Sequence, residues 1–412
     1  MTKPFELTTV RDQFGAFMTS DEACPIFFDG PGGSQVPHSV TKAMGNYLGY
    51  GNSNLGGHFP ASRDTNTLVD KARLYAQSFL NAPDPSNIVF GANMTSLTFH
   101  LSRIISRQWD HNSEVIVTQL DHYANVSTWE EAAQDKGATV HHANIHTDTG
   151  SLDIEHTLSL INANTTLVAL TYASNTTGSI VDVQPIIEKA HHYHAMVYID
   201  AVHYAPHHLI DVQAIQCDFL VCSAYKFYGP HLGIAYISPQ WCQQLTPYKV
   251  APAPDSSPNR FETGTLNFEA LAGFIATLDY LSQWGQFHTL RERLIESFSL
   301  IEEHEEALSD YFLDKLKHYP NIALIGHPSS HRSLRTPTFA LCFANQHPEV
   351  LAKALGEHQI CVWNGHFYAI GLIKKLGLEN KGGVLRVGLM HYNTKDEIDT
   401  FFRVLDRSIE TM

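Results

Sequence analysis

The sequence has no apolar run long enough to cross a bilayer. A membrane-spanning helix needs about 20 consecutive apolar residues, and no stretch of this chain approaches that length. The first residues, MTKPFELTTVRDQF, also have no apolar core of the length found in a signal peptide. We therefore expect a cytoplasmic protein with no membrane partner.

Positive charge is scarce, because 27 lysines and arginines face 42 aspartates and glutamates. The resulting net charge of −15 argues against a broad surface for nucleic acid. Small anions can still bind locally, since backbone amides can bind them without any net positive charge. We expect no nucleic-acid partner.

Cysteine is also rare, with six residues in the chain and no C-x-x-C pair. This pattern indicates neither a zinc site nor a disulfide framework. Histidine is abundant, with 25 residues, but no carboxylate or cysteine recurs beside the histidines at the spacing of metal ligands. We therefore expect no metal site.

Short β-branched runs alternate with helical stretches between residues 86 and 240. EVIVTQL precedes ANVSTWEEAAQDKG, and TLVALTYAS precedes VQPIIEKAHHYH. This alternation predicts an α/β fold with a mostly parallel central sheet that is covered on both faces. A long helical pattern, roughly 267–318, leads into a second α/β region. We expect an N-terminal arm (1–25), a large domain (26–266) and a smaller C-terminal α/β domain (267–412).

Polar side chains follow several of these strands, where an open α/β sheet gathers its ligands. Asp200 follows MVYI, while Ser223 and Lys226 follow DFLVC. An aspartate and a lysine alone could form a plain ion pair. However, His122 and Asn175 stand at two further strand ends. FGANMTS also joins a strand to a helix, and such a junction offers backbone amides to a phosphate, although it is neither a P-loop nor a dinucleotide fingerprint.

Pyridoxal phosphate requires all of these groups at once. It needs an amine for a Schiff base, a carboxylate at its ring nitrogen, a flat group on its face and a cradle for its phosphate. The carboxylate keeps the pyridine nitrogen protonated, so that the ring can take up electrons when a bond at the substrate Cα breaks. We predict pyridoxal 5'-phosphate as the cofactor.

The chain resembles the class V aminotransferases, which are fold-type I pyridoxal-phosphate enzymes, on their cysteine desulfurase-like branch. The resemblance covers nearly the whole chain and rests on seven segments that occur in the family's order. These segments are FFDGPGGSQVP (27–37), LDHYANVSTW (120–129), SNTTGSIVDV (174–183), YIDAVHYAPH (198–207), DFLVCSAYKFYGP (218–230), FETGT (261–265) and LRVGLMHYNT (385–394).

The resemblance implies a role for each matching residue. The implied catalytic residues are Lys226, which would form the Schiff base, Asp200 at the ring nitrogen, and His122, which would stack on the ring and move a proton. The implied contacts to the phenolic oxygen are Asn175 and His203. A glutamine is common at the latter position, and an imidazole can still donate there. The implied phosphate contacts are Asn93, Met94, Thr95, Ser223, Tyr225 and Thr265.

The resemblance also implies a homodimer with shared active sites, because Thr265 matches a residue that the other subunit supplies. Arg386 matches the arginine that grips the substrate carboxylate through a two-point fork. His58 lies in a segment, NSNLGGHFPASR, that often approaches the neighbouring active site, so it is a candidate substrate contact. An equally good interpretation of this segment is that it forms a tight loop before a helix that begins near Arg63 and has no contact with the substrate.

One segment, CVWNGHFYAIGL (361–372), departs from the family pattern. The desulfurases carry here a cysteine that takes sulfur as a persulfide, but Tyr368 falls at its position and Cys361 lies seven residues earlier, on a predicted strand. A phenol cannot form a persulfide. Trp363 stands where an arginine is frequent. We expect Trp363 and Tyr368 to contact the substrate and to make its site more aromatic.

Three functions therefore stay open. We favour a lyase-type reaction at Cα or Cβ of a small α-amino acid, without a persulfide cysteine. The alternative is a true cysteine desulfurase or selenocysteine lyase that passes sulfur or selenium to a free thiol. The second alternative is a class V aminotransferase, or a protein that binds pyridoxal phosphate without catalysis.

Overall fold

The computed structural model describes residues 5–18 and 24–410, so residues 1–4 and 19–23 of the predicted N-terminal arm lie outside the described residues. Its strands are β1 (Ile26–Phe27), β2 (Ile88–Gly91), β3 (Glu114–Thr118), β4 (Thr139–Ala143), β5 (Ile145–His146), β6 (Ser151–Leu152), β7 (Thr165–Thr171), β8 (Met196–Asp200), β9 (Phe219–Ser223), β10 (Gly233–Ile237), β11 (Ile322–Ile325), β12 (Thr338–Phe343), β13 (Ile360–Cys361), β14 (Trp363–Gly365) and β15 (Val384–Gly388).

The α-helices surround these strands. They are α1 (Leu7–Arg11), α2 (His38–Tyr50), α3 (Pro60–Leu80), α4 (Met94–Ile105), α5 (Ser127–Gln134), α6 (Ile154–Leu160), α7 (Gln184–His192), α8 (Val212–Ile215), α9 (Pro239–Gln244), α10 (Phe268–Leu281), α11 (Leu290–Leu316), α12 (Pro348–Glu357), α13 (Ile370–Lys375) and α14 (Lys395–Glu410). No helix of the described residues is both long enough and apolar enough to cross a membrane.

The central sheet has the strand order β2-β10-β9-β8-β7-β3-β4. β10 is antiparallel to β2 and β9, and the other neighbours are parallel. Buried apolar residues of the strands form the core on both faces of the sheet. The predicted α/β fold with a mostly parallel central sheet is therefore confirmed. The edge strand β4 reads TVHHA and was not predicted, because it has no apolar run.

A second sheet lies in the C-terminal region, with the order β11-β12-β15-β14. It shares a separate hydrophobic core with α12 and α14. β1 pairs with β13 in parallel, and Asp29 forms a bridge to Gly388 at the end of β15. This pairing places the GPGG turn (30–33), which follows β1, beside the C-terminal sheet.

The helical pattern at 267–318 is interrupted in the structure and forms two helices, α10 and α11. The chain turns over residues 282–289, where a Cβ on Gly285 would lie 2.3 Å from Arg293 Cα. Thr289 then begins α11 through a capping box with Glu292. α10 packs on α2 and α3. The sequence pattern missed the break because amphipathic residues continue on both sides of it.

The parallel strands β3, β7, β8 and β9 end at the same edge of the central sheet. Their last residues are Thr118, Thr171, Asp200 and Ser223. Side chains that follow these strands must therefore lie near one another, although they are far apart in sequence. This edge carries the candidate site.

Candidate active site

One pocket opens at this edge of the sheet. Of the predicted cofactor contacts, all except Thr265 line it. The lining residues are Pro31, Asn93, Met94, Thr95, His122, Thr171, Ala173, Asn175, Asp200, Val202, His203, Ser223, Tyr225 and Lys226. The tertiary structure thus brings together residues that the sequence holds in six separate segments.

Lys226 ends a 3₁₀ turn that follows β9 directly. Its Nζ donates a hydrogen bond to the Pro31 carbonyl oxygen at 2.5 Å. Desolvation lowers the pKa of this amine to about 7, and the nearby Arg386 cation acts in the same direction, while Asp200 and Asp29 oppose them. A large share of the amine is therefore neutral near pH 7, and the neutral amine is the nucleophilic form.

Asp200 is the last residue of β8 and is buried. Its Oδ1 accepts the Val202 amide at 2.9 Å. Burial raises the pKa of this carboxyl to about 6, although the Val202 hydrogen bond and the Lys226 charge lower it. Asp200 forms no ion pair with another described residue. A protonated nitrogen from a ligand would therefore stabilise the ionised carboxylate.

His122 follows β3 and is neutral at physiological pH. Desolvation lowers its pKa to about 4, and the charges of Lys226 and Arg386 add to this effect. Nδ1 accepts the Ala124 amide at 3.0 Å, so the neutral ring carries its proton on Nε2. The Tyr368 ring stacks on His122 with a centroid distance of 5.0 Å and an angle of 23°.

The N-terminus of α4 forms one wall of the pocket. Asn93 caps this helix, and its side chain accepts the Ser96 amide at 2.9 Å. The Met94 amide donates to Ser223 Oγ at 3.2 Å. A Cβ on Gly233 would lie 2.5 Å from the Asn93 backbone, so only glycine permits this close approach. The amides of a helix's first turn and the helix dipole suit a phosphate.

Arg386 lies on β15 and is buried beside the pocket. Its Nη1 donates to the Asn175 carbonyl oxygen at 2.9 Å. The Phe367 ring covers the guanidinium at 4.0 Å. A Cβ on Gly32 would lie 3.7 Å from Arg386 Nη2 and 3.1 Å from Trp363 Nε1. Burial lowers the pKa of Arg386 to about 9, so the group stays charged near pH 7.

The remaining predicted substrate contacts differ in their positions. Trp363 and Tyr368 are 55% and 64% exposed, beside Arg386 and His122 respectively. His58 does not line the pocket and is exposed just before α3, with its carbonyl oxygen accepting Arg63 Nη1 at 2.6 Å. Thr265 lines a separate surface groove with Asn54 and Leu55. Within one chain, His58 and Thr265 therefore stay apart from the pocket.

Sequence reasoning missed several residues at this site. Phe367 contacts Arg386, and its carbonyl oxygen accepts Asn175 Nδ2 at 2.9 Å. Asp29 lies near Arg386 and Lys226, whose charges lower its pKa, although burial outweighs them and raises it. The segment that carries Asp29 was identified only as part of the family resemblance, and nothing local indicated that Asp29 would approach Arg386 and Lys226.

Pyridoxal phosphate fits the groups that the pocket presents. Lys226 offers a partly neutral amine, Asp200 offers a buried carboxylate without a cation partner, and α4 offers the amides of its first turn. These groups match the aldehyde, the ring nitrogen and the phosphate of the cofactor. Each group stands on or directly after a different element at one edge of the central sheet.

Comparisons with known proteins agree with this site. Residues 26–401 match the sequence model of the family described as aminotransferase class-V. The aminotransferase-like protein FGM3 of Gibberella zeae is 31% identical, over 98% of both chains. A cysteine desulfurase of an Enterobacter species is 27% identical, over 98% of both chains. A probable cysteine desulfurase of Mycobacterium leprae is 29% identical, over 100% of this chain and 66% of its own.

Solved structures show the same fold. The cysteine desulfurase CsdA of Escherichia coli covers both chains completely, with a TM-score of 0.85 and 24% identity. A cysteine desulfurase of Thermococcus onnurineus also covers both chains completely, with a TM-score of 0.87 and 23% identity.

Proposed function

The chain belongs to the class V aminotransferase family and is a cysteine desulfurase-like enzyme that depends on pyridoxal phosphate; we propose that it acts at Cα or Cβ of a small α-amino acid without a persulfide cysteine. One observation carries the second part of this proposal. Within the described residues, which include all six cysteines, no thiol lines the pocket.

The surroundings of Cys361, the cysteine of segment 361–372, support this proposal. Cys361 is half-buried on β13, in register with Phe27 of β1, and it precedes the strand that carries Trp363. Burial and the nearby Asp29 raise the pKa of its thiol. The thiolate is the form that attacks sulfur, so these surroundings disfavour a persulfide on Cys361.

The proposed roles follow from the states of the side chains. Bound pyridoxal phosphate supplies a ring that accepts electrons from the substrate Cα. The neutral Lys226 amine can take and return a proton at Nζ. Asp200 would hold a proton at the cofactor's ring nitrogen, because an ionised buried carboxylate needs a positive neighbour. His122 offers Nε2–H as a donor on the pocket wall, since Nδ1 is already occupied by the Ala124 amide.

We propose that Arg386, which is buried beside the pocket, binds the substrate carboxylate. Nη1 is held by the Asn175 carbonyl oxygen and one face is covered by Phe367, so the guanidinium is fixed in direction. A fixed guanidinium binds a carboxylate with little loss of side-chain freedom. In this proposal, Trp363 and Tyr368 contact the substrate's own side chain, and its support is that they are exposed beside Arg386 and His122 respectively.

We expect the holoenzyme to change its visible absorbance with at least one α-amino acid, and the Cys361→Ala variant to retain the same turnover. The panel should contain cysteine, selenocysteine and amino acids with other β-substituents, with product identification for each responder. Cys342→Ala, a half-buried cysteine on β12, is the matched control. Loss of turnover in Cys361→Ala but not in Cys342→Ala would overturn the proposal.

The second candidate is a cysteine desulfurase that delivers sulfur to a free thiol. Its support is that several relatives with 27–29% identity carry the name cysteine desulfurase. The same panel separates the two candidates. Sulfide release from cysteine that requires an added thiol, and that survives Cys361→Ala, would select this candidate.

We also propose a homodimer in which each chain completes the other's site. The supporting observation is that Thr265 and His58 lie outside the pocket of their own chain, and Thr265 shares a groove with the exposed apolar residues Leu55 and Val250. Sedimentation should give twice the chain mass, and Thr265→Ala should weaken cofactor retention. A monomer with full turnover would contradict this assembly.

A cytoplasmic location stays a prediction, which cell fractionation would test.

A further inference from the structure

Two N–H donors lie close together beside the pocket without an acceptor among the described residues. Trp363 Nε1 donates to none of them, and of the Arg386 nitrogens only Nη1 donates, to the Asn175 carbonyl oxygen at 2.9 Å. Trp363 is the cross-strand partner of Arg386 where β14 pairs with β15, so both side chains lie on the same face of that sheet. Trp363 Nε1 and Arg386 Nη2 are called the donor pair below.

Gly32 keeps the donor pair accessible. A Cβ on this residue would lie 3.1 Å from Trp363 Nε1 and 3.7 Å from Arg386 Nη2, so both donors lie within 4 Å of one point. Gly32 is not among the residues with positive φ, so the backbone conformation does not require glycine here. The glycine instead leaves the space next to both donors free of a side chain.

The donor pair lies close to the amine of Lys226. Lys226 Nζ donates to the Pro31 carbonyl oxygen at 2.5 Å, and Pro31 directly precedes Gly32 in the GPGG turn. The amine and the carboxylate of an α-amino acid are bonded to the same carbon, so the sites that bind them must be neighbours. The turn meets this requirement, because one of its residues contacts Lys226 and the next faces the donor pair.

The chemistry of the donor pair matches a carboxylate. An indole nitrogen and a guanidinium can only donate, so both need acceptor oxygens from a ligand. Asp29 acts on Arg386 through its charge, but Arg386 forms no ion pair with a carboxylate of the described residues. A carboxylate has two oxygens, and hydrogen bonds to an ionised acceptor are stronger than those between neutral groups. One oxygen can therefore accept from Nη2 and the other from Nε1.

We propose that Trp363 is a substrate-binding residue, which donates from Nε1 to one oxygen of the α-carboxylate while Arg386 Nη2 donates to the other, and that Gly32 keeps this place open. The inference rests on the proposed function, in which Arg386 binds the carboxylate of an α-amino acid. It adds a neutral N–H donor at the position where the family resemblance places a frequent arginine. The face of the indole ring stays available to the substrate's side chain. The site therefore selects amino acids with a free α-carboxylate over simple amines.

The test measures binding of l-alanine and of ethylamine to the holoenzyme through the visible absorbance of the cofactor, which does not depend on turnover. Ethylamine has the amine and the methyl group of alanine but no carboxylate. Trp363→Phe keeps an aromatic ring and removes the N–H, so the dissociation constant of l-alanine should rise about tenfold, as for one lost hydrogen bond to a charged group. The dissociation constant of ethylamine should stay the same. Trp363→Arg supplies N–H donors again and should restore the binding of l-alanine.

Gly32→Ala tests the open space independently. The added methyl group would contact both donors, so l-alanine should again bind about tenfold more weakly, because the same hydrogen bond is obstructed. Ethylamine binding should not change. Gly356→Ala in α12 is the matched control, because Gly356 also lacks a positive φ and a Cβ there would meet nothing within 4 Å. The control variant should bind both compounds as the unmodified protein does.

Nuclear magnetic resonance of the holoenzyme with ¹⁵N-labelled tryptophan measures the Trp363 N–H directly. The chain has five tryptophans, and the indole signal that disappears in Trp363→Phe belongs to Trp363. We expect l-alanine, at a concentration that saturates the absorbance change, to move this signal and ethylamine to leave it in place. A signal that l-alanine also leaves in place would refute the donation from Nε1.

A failure of this inference differs from a failure of the proposed function. If the absorbance of the unmodified protein responds to neither compound and to no member of the amino-acid panel, the proposed function is wrong and this inference falls with it. If the unmodified protein responds to l-alanine and Trp363→Phe binds it equally well, only this inference is overturned. An equal loss for l-alanine and ethylamine would overturn it too, since the effect would then not involve the carboxylate.

Discussion

The Lys226→Ala protein is expected to show no measurable turnover and to retain no cofactor on the chain after borohydride reduction and denaturation. Lys226 is the only lysine that lines the pocket of the described residues. Its pKa of about 7 leaves a neutral amine available near physiological pH. Under the proposed role of Lys226, removal of the amine would remove both the covalent attachment and a group that moves a proton at Cα, and no second lysine lines the pocket of the described residues to replace it.

The measurement is the mass of the reduced, denatured protein, together with turnover of whichever amino acid the panel identifies. Lys317→Ala is the control, because Lys317 is 74% exposed at the end of α11. That variant should keep both the added mass and the turnover. If Lys226→Ala still gained the mass of the reduced cofactor at one stoichiometric site, a different lysine would hold the cofactor.

The Asp200→Asn protein is expected to bind the cofactor more weakly and to lose turnover on the order of 10²–10³-fold. Removal of one preorganised polar group from an active site typically causes a loss of this size. Asparagine keeps the shape and can still accept the Val202 amide, which bonds Oδ1 in the native protein. It lacks the negative charge that, in the proposed role of Asp200, would retain a proton at the ring nitrogen. Asp200→Ala should show at least the same loss.

The measurement combines cofactor dissociation with the rate of the absorbance change that the substrate produces. Asp314→Asn removes a carboxylate that is 69% exposed and should alter neither quantity. The unfolding temperature of Asp200→Asn should not fall, since burial of the ionised carboxylate costs free energy that the amide avoids. Near-native rates in Asp200→Asn would show that another group controls the ring nitrogen.

The residues at the strand ends could be predicted because each follows a strong local signal. Asp200 follows MVYI, and Lys226 follows DFLVC within a few positions. A buried strand needs an apolar run, and the residue after it emerges at the sheet edge. The strand β4 and the break between α10 and α11 escaped prediction, since the former is polar and the latter interrupts a continuing helical pattern.

The contacts between distant segments had no such signal. Phe367 covers Arg386, Asp29 approaches both cations, and Thr336 contacts His203 across 133 residues. Their sequence neighbourhoods contain no period or spacing that indicates these partners. Arg386 was predicted from the family resemblance. Its surroundings depend on the pairing of β14 with β15, which places Trp363 opposite Arg386.

By itself, the sequence determined the α/β class, the order of the elements and the chemistry of the strand ends, because these depend on the period of apolar residues along a local stretch. The tertiary structure alone decided the ionisation of Lys226 and Asp200, the aromatic cover on Arg386 and His122, and the two threonine hydroxyls that contact His203. Those properties depend on desolvation and on the charges and hydroxyls of remote segments, which come together only when the sheets pack.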